Sequence, residues 1–208
     1  MRKVCAFHHN IRNPSKSLIS APDAGAGGGI PTAMAYQYKR EPLNRDETAR
    51  LEKACQTPRE RLVVWTLLDT GLRVAELSGL TRQAIDWQGH RFTIFGKGGP
   101  YGKKTKRRVI PMTPRITPLL EAHFAVNEIL GIPVRTLQHI VRQVAKRAVI
   151  TRPVSPHVLR HTFSVAAVQK GISLPALQRV LGHDHLGTTE IYLNMSPEHV
   201  LEEFHAKW

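Results

Sequence analysis

The segment HVLRHTF places His157, Arg160 and His161 within five positions. On a helix the spacings i, i+3 and i+4 gather all three side chains on one face, so one face carries two imidazoles and a guanidinium, while Leu159 and Phe163 turn to a different side. Further reactive residue types recur along the chain. GLRVAEL sets Arg73 just after a glycine turn with Glu76 one helical turn later, FGKGG ends a strand on Lys97, and LGHDHLGTTEIYL carries His183 and, nine residues on, Tyr192. Each has an ordinary reading of its own: a surface ion pair for Arg73, a solvated turn for Lys97, a helix cap for His157, a core aromatic with its hydroxyl at the surface for Tyr192. His183 and His185 lack carboxylate or cysteine companions at ligand spacing, which disfavours a metal site. Cys5, His8 and His9 have no second cluster to complete one either.

Charge narrows the ligand. Thirty Lys and Arg against sixteen Asp and Glu give the 208-residue chain a formal charge of +14, which points to a polyanionic partner: DNA, RNA or an acidic membrane surface. Residues 97–108 hold Lys97, Lys103, Lys104, Lys106, Arg107 and Arg108 with no acid, suited to phosphate contact from a hairpin. Arg142 and Lys146, with Arg135 and His139, form a second basic face. Such contacts position a duplex and make affinity salt-dependent without specifying sequence. A charge run facing solvent is the plain alternative for any one of these residues. Two cysteines, Cys5 and Cys55, make no disulfide framework. The start, MRKVCAFHHN, has no apolar signal region, and the longest strongly apolar run, LVVWTLL at 62–68, is far too short to cross a bilayer. A cytoplasmic protein is expected.

These side chains need elements to hold them. Residues 1–40 have no sustained periodicity and contain APDAGAGGGIPTA, a flexible linker by composition. Its glycines follow no strand and do not complete G-x-G-x-x-G. Asn44 with Glu47 makes an N-cap and an acidic third residue, PRERLVVWTLLDTG (58–71) reads as a helix buried nearly all round and stopped by Gly71, and RVAELSGL (73–80) adds a short helix. AIDWQ, RFTIFG and RRVIPM alternate with turns between them, giving a small three-stranded antiparallel sheet. In RTLQHIVRQVAKRAVI (135–150), Leu137, Ile140, Val141, Val144, Ala145, Ala148 and Val149 form an apolar stripe. Helices are expected at 157–170, 173–183 and 196–207, the last from a Ser196-Pro197 cap. The class is α+β, mainly α.

The order and intervals of Arg73, Lys97, His157-x-x-Arg160, His183 and Tyr192 resemble the catalytic domain of the tyrosine recombinase, or phage integrase, family over roughly residues 42–208. The boxes TGLRVAEL, HVLRHTFSVAAVQKG and LQRVLGHDHLGTTEIYL carry the likeness. It implies a site-specific recombinase that breaks and rejoins double-stranded DNA through a 3′-phosphotyrosyl intermediate, without metal, ATP or cofactor. Tyr192 is then the nucleophile, Arg73, Arg160 and His183 hold the phosphate oxygens, His157 takes the proton and Lys97 protonates the leaving 5′ oxygen. Lys103 and Lys104, in a loop longer than the family's usual turn, compete with Lys97 for that task. His161 is expected to support its neighbours, and Glu76 to support the helix carrying Arg73. The resemblance also implies a homo-oligomer on DNA, with the segment SPEHVLEEFHAKW either closing its own core or docking on a neighbour. Residues 1–41 are too short and glycine-rich for the helical domain that usually precedes this one, and 113–156 is shorter than usual. A type IB topoisomerase-like nicking and resealing enzyme, or a catalytically idle DNA-binding accessory protein, are the alternatives.

Overall fold

The computed structural model describes residues 41–97 and 105–182. The first 40 residues, Lys103 and Lys104, the expected helix at 196–207, and both His183 and Tyr192 lie outside the described residues. Seven helices and one three-stranded sheet occur among those described.

Two helices begin with the same device and a third with half of it. Helix α1 (Arg45–Lys53) starts at Asn44, whose side chain accepts from the Glu47 N–H at 2.8 Å while Glu47 accepts from the Asn44 N–H at 2.9 Å. Helix α2 (Pro58–Thr70) repeats this box with Thr57 and Glu60 and has proline in its first turn, where no N–H is needed. In α3 (Val74–Ser78) only the carboxylate half is present, Glu76 accepting from the Arg73 N–H at 2.7 Å. Each of these glutamates is also held by an arginine from far along the chain: Glu47 by Arg152, Glu60 by Arg147 and Glu76 by Arg108. The local caps are thereby tied into the tertiary fold.

The charge on these caps sets an acid limit. The Arg147 guanidinium and the capping N–H groups of Gln56 and Thr57 outweigh partial burial and hold Glu60 at about 2, against an ordinary 4.5; Glu47 is lowered likewise by Arg152. A carboxylate with a depressed folded pKa contributes stability that is full above its unfolded pKa and lost as pH falls through the folded one. The urea midpoint is therefore expected to fall as the pH is lowered from about 5 towards 2, and Glu60→Gln to start lower at neutral pH but decline less steeply. Denaturation followed by circular dichroism across that range checks both.

The sheet runs β1 (Ile85–Asp86), β2 (Arg91–Lys97) and β3 (Thr105–Pro111) in that order, all antiparallel. Phe92 faces Ile110, and Ile94 faces Arg108, on the buried side. Thr93, Phe95, Arg107 and Val109 alternate onto the other, where Phe95 and Val109 are exposed. Lys97 closes β2 opposite Thr105, and Lys106 lies opposite Gly96, both placed by their backbones.

Helix α4 (Thr117–Phe124) follows, then α5 (Val134–Arg147), α6 (Pro156–Gln169) and α7 (Leu174–Leu181). Helix α2 is buried over most of its surface from Leu62 on, through Leu62, Val63, Val64, Leu67 and Leu68, with Arg61 exposed and Trp65 and Asp69 half-buried, and packs along α6. Helix α5 presents Leu137, Val141, Val144 and Ala145 to the same core, with Arg135, His139, Arg142 and Lys146 outward as the periodicity requires. Val149 departs from the expected stripe. The helix has ended before it, its φ is 54°, and it is 71% exposed. Phe163 leaves the main core to pack with Ala167, Leu177 and Leu181 between α6 and α7. No helix among the described residues is long and apolar enough to cross a membrane.

Candidate active site

Arg160 sits on the second turn of α6, 7% exposed. Its Nη1 donates to the carbonyl of Gly71 and its Nη2 to the carbonyl of Leu181 at 2.7 Å. A buried guanidinium needs acceptors for its donors, and here they come from helix ends whose carbonyls lack intrahelical partners. Gly71 supplies one because it ends α2 in the left-handed conformation, φ 60°.

Arg73 reaches the same place from another direction. It precedes α3, two residues after Gly71, and its Nη2 donates to the carbonyl of Gly182 at 3.3 Å. Two arginines 87 positions apart in sequence thus hang on consecutive carbonyls, those of Leu181 and Gly182, where α7 ends. The C-terminal end of a helix carries the negative pole of its dipole, so cations are favoured there. His183 follows directly in the sequence.

Glu76 completes the group. Its Oε1 accepts from Arg73 Nη1 at 3.0 Å and from Arg108 Nη1 at 2.8 Å, and its Oε2 accepts from Arg108 Nη2 at 2.6 Å. Burial pushes this carboxyl up, but the two guanidinium groups and the Arg73 N–H outweigh it and keep it below the ordinary value. Among the described residues, this corner therefore gathers three guanidinium groups and one carboxylate, which binds Arg73 and Arg108 while Arg160 rests on carbonyls, an arrangement with positive charge to spare for an oxyanion such as a phosphate.

The expected residues fall into distinct places. Arg73 and Arg160 meet at the end of α7; His157 is exposed in the first turn of α6 and His161 is half-buried next to Arg160 in the sequence. Helix α6 is capped at Ser155, so His157 is inside the helix and not its cap. Arg107 is exposed on β3, and Arg142 and Lys146 are exposed on α5. Arg108 does not belong with these. It is turned inward beside Ile110 and closed on Glu76 by a two-bond fork, whereas the charge run grouped it with the hairpin's phosphate contacts. The alternation of strand side chains is the signal that separates it from Arg107.

Gly71 supports the corner sterically as well. A Cβ there would collide with the Phe163 ring and come within 3.1 Å of Leu181 Cδ2. Gly71→Ala combines that overlap with a left-handed backbone, and is expected to cost about 2–4 kcal/mol, read from urea unfolding.

The phage integrase family model matches residues 41–199. The tyrosine recombinase XerC of Listeria monocytogenes serotype 4a (strain HCC23) is 29% identical over 156 residues, covering 69% of this chain and 52% of that protein. The crystal structure of XerA recombinase superposes with a TM-score of 0.68 at 28% identity, over 80% of this chain and 64% of that one. XerH site-specific recombinase, bound to palindromic difH substrate in a post-cleavage complex, shares the fold at 23% identity with a TM-score of 0.65, over 79% of this chain and 52% of that one. The chain spans about half the length of the curated relatives it matches.

Proposed function

Because this chain belongs to the phage integrase family, we propose that it is the strand-cleaving part of a site-specific DNA recombinase, working on double-stranded DNA through Tyr192. The observation that carries the reading is the convergence of Arg73 and Arg160 on the two carbonyls at the end of α7. Guanidinium groups fixed in this way can hold two non-bridging oxygens of a phosphodiester, with His183 donating a third hydrogen bond.

The chemistry follows from charge. The Tyr192 oxygen attacks phosphorus, His157 takes its proton, and negative charge grows on the oxygens held by Arg73 and Arg160. The bond from phosphorus to the 5′ oxygen breaks, and Lys97 gives that oxygen a proton. The phosphotyrosine conserves the bond energy, so a 5′ hydroxyl from a partner strand reverses the step with no cofactor. Lys103, Lys104, Lys106, Arg107, Arg142 and Lys146 track the DNA backbone, and Arg108 leaves that set. The protein works in the cytoplasm as a homo-oligomer assembled on its DNA.

A nicked suicide substrate, in which the released strand diffuses away, tests this. The expected result is a covalent adduct destroyed by protease, with DNA affinity that weakens as salt rises from low to moderate concentration. Salt-dependent binding with no adduct on any substrate would instead favour a DNA-binding accessory protein.

A further inference from the structure

Arg108 is an expensive residue to bury. Its side chain is 6% exposed and that of Glu76 12%, and the Arg108 Nε has no hydrogen-bond partner among the described residues. A buried ion pair with an orphaned donor is a poor route to stability, since apolar residues of similar volume do as well or better. The strand gives no reason for a cation either: the next inward residue along it is Ile110 and the cross-strand neighbour is Ile94. The end of α7 is shaped around it, because a Cβ on Gly182 would lie 2.9 Å from both Arg108 Cδ and Arg108 Nη1.

What the pair does is visible in the charge of its neighbour. Arg73 is 41% exposed and touches the same carboxylate. If Glu76 had Arg73 alone, the two would form a neutral pair, and the outward side of Arg73 would attract an anion little better than an amide does. Arg108 takes up the carboxylate through both oxygens, from the buried side. Glu76 can then hold Arg73 in place through its N–H and Nη1 without cancelling its charge.

We propose that Arg108 is a positioning residue for strand cleavage, neutralising Glu76 so that Arg73 keeps its positive charge for the phosphate while Glu76 fixes its direction. The proposal rests on the recombinase reading above. Arg108 need not touch DNA; it acts through Glu76 on Arg73.

The full 208-residue chain and the nicked suicide substrate give the test, with single-turnover adduct formation at saturating DNA as the rate. Arg108→Met is expected to slow that rate about 10- to 100-fold, short of the loss for removing a donor itself. Adding Glu76→Gln to it removes the uncompensated charge and is expected to recover at least about half of the loss on a logarithmic scale. A merely structural role predicts the opposite, since the second substitution removes further hydrogen bonds. Arg108→Lys keeps the charge and loses the fork, and is expected to stay within about tenfold of the unaltered protein; it also provides the reading should Arg108→Met not fold. A double variant as slow as Arg108→Met, or Arg108→Lys as slow as Arg108→Met, would overturn the proposal. Absence of adduct from the unaltered chain would overturn the recombinase reading itself, and this inference with it.

Discussion

Tyr192→Phe is expected to abolish the covalent adduct, by about 10⁴-fold or more, while DNA affinity stays within about twofold. The substitution removes one oxygen and leaves the ring. On the proposed chemistry that oxygen is the nucleophile, so no bond to phosphorus can form, whereas duplex binding draws on many cations spread over the surface. An unperturbed phenol has a pKa of about 10, so the reaction depends on a base or a dense cationic neighbourhood. On the proposed chemistry His157 is the base, and the guanidinium groups of Arg73 and Arg160 supply the cations. Adduct formation by Tyr192→Phe at the yield of the unaltered protein would place the nucleophile elsewhere.

The next largest effect belongs to the arginines, and the two are expected to fail differently. Arg160→Lys is expected to slow cleavage about 10² to 10³-fold and to destabilise the fold as well. Its guanidinium bridges carbonyls of Gly71 and Leu181 that belong to different helix ends; a single ammonium lacks the rigid fork to serve both and a phosphate. Leaving a buried carbonyl unpaired costs about 1–3 kcal/mol. Arg73→Lys is expected to show a similar kinetic loss with a smaller change in the urea midpoint. Its side chain is 41% exposed, and Glu76 keeps its fork from Arg108. Equal destabilisation by both substitutions would count against this division of labour.

Much of this arrangement is legible in the sequence, and the reasons are local. The capping box at Asn44, the glycine stop at Gly71 and the alternation in RFTIFG depend on neighbours within a few residues, so the start of α1, the end of α2 and the sheet follow from reading them; the box at Thr57 goes unread. Helix α4 goes unread because eight residues with a proline in the first turn show little period. Val149 fits the helical stripe by count alone; the backbone turns into the left-handed region just there. Within the site, the i, i+3 spacing of Arg73 and Glu76 announces their contact. The partners of Arg160 are carbonyls 89 and 21 positions away, and backbone acceptors leave no mark on side-chain patterns. Arg108 was hidden by its own neighbours, since a run of cations reads as one solvated surface although a strand sends every second residue inward.

The shared anchorage of Arg73 and Arg160 carries an entropic consequence. A free arginine side chain has about 2 kcal/mol of rotamer entropy to lose on being fixed. Here a large part of that loss falls on the folding of the protein instead of on the arrival of DNA. The two side chains are not ordered independently, because both depend on one helical turn, Gln178 to Gly182, closed by the Gly182 N–H on the Gln178 carbonyl. Fraying of that single turn removes one anchor from each at once, leaving Arg160 on the Gly71 carbonyl and Arg73 on Glu76. The alignment of the two arginines with each other thus depends on the local opening equilibrium of the last turn of α7, a quantity that amide hydrogen exchange at Gly182 reads directly.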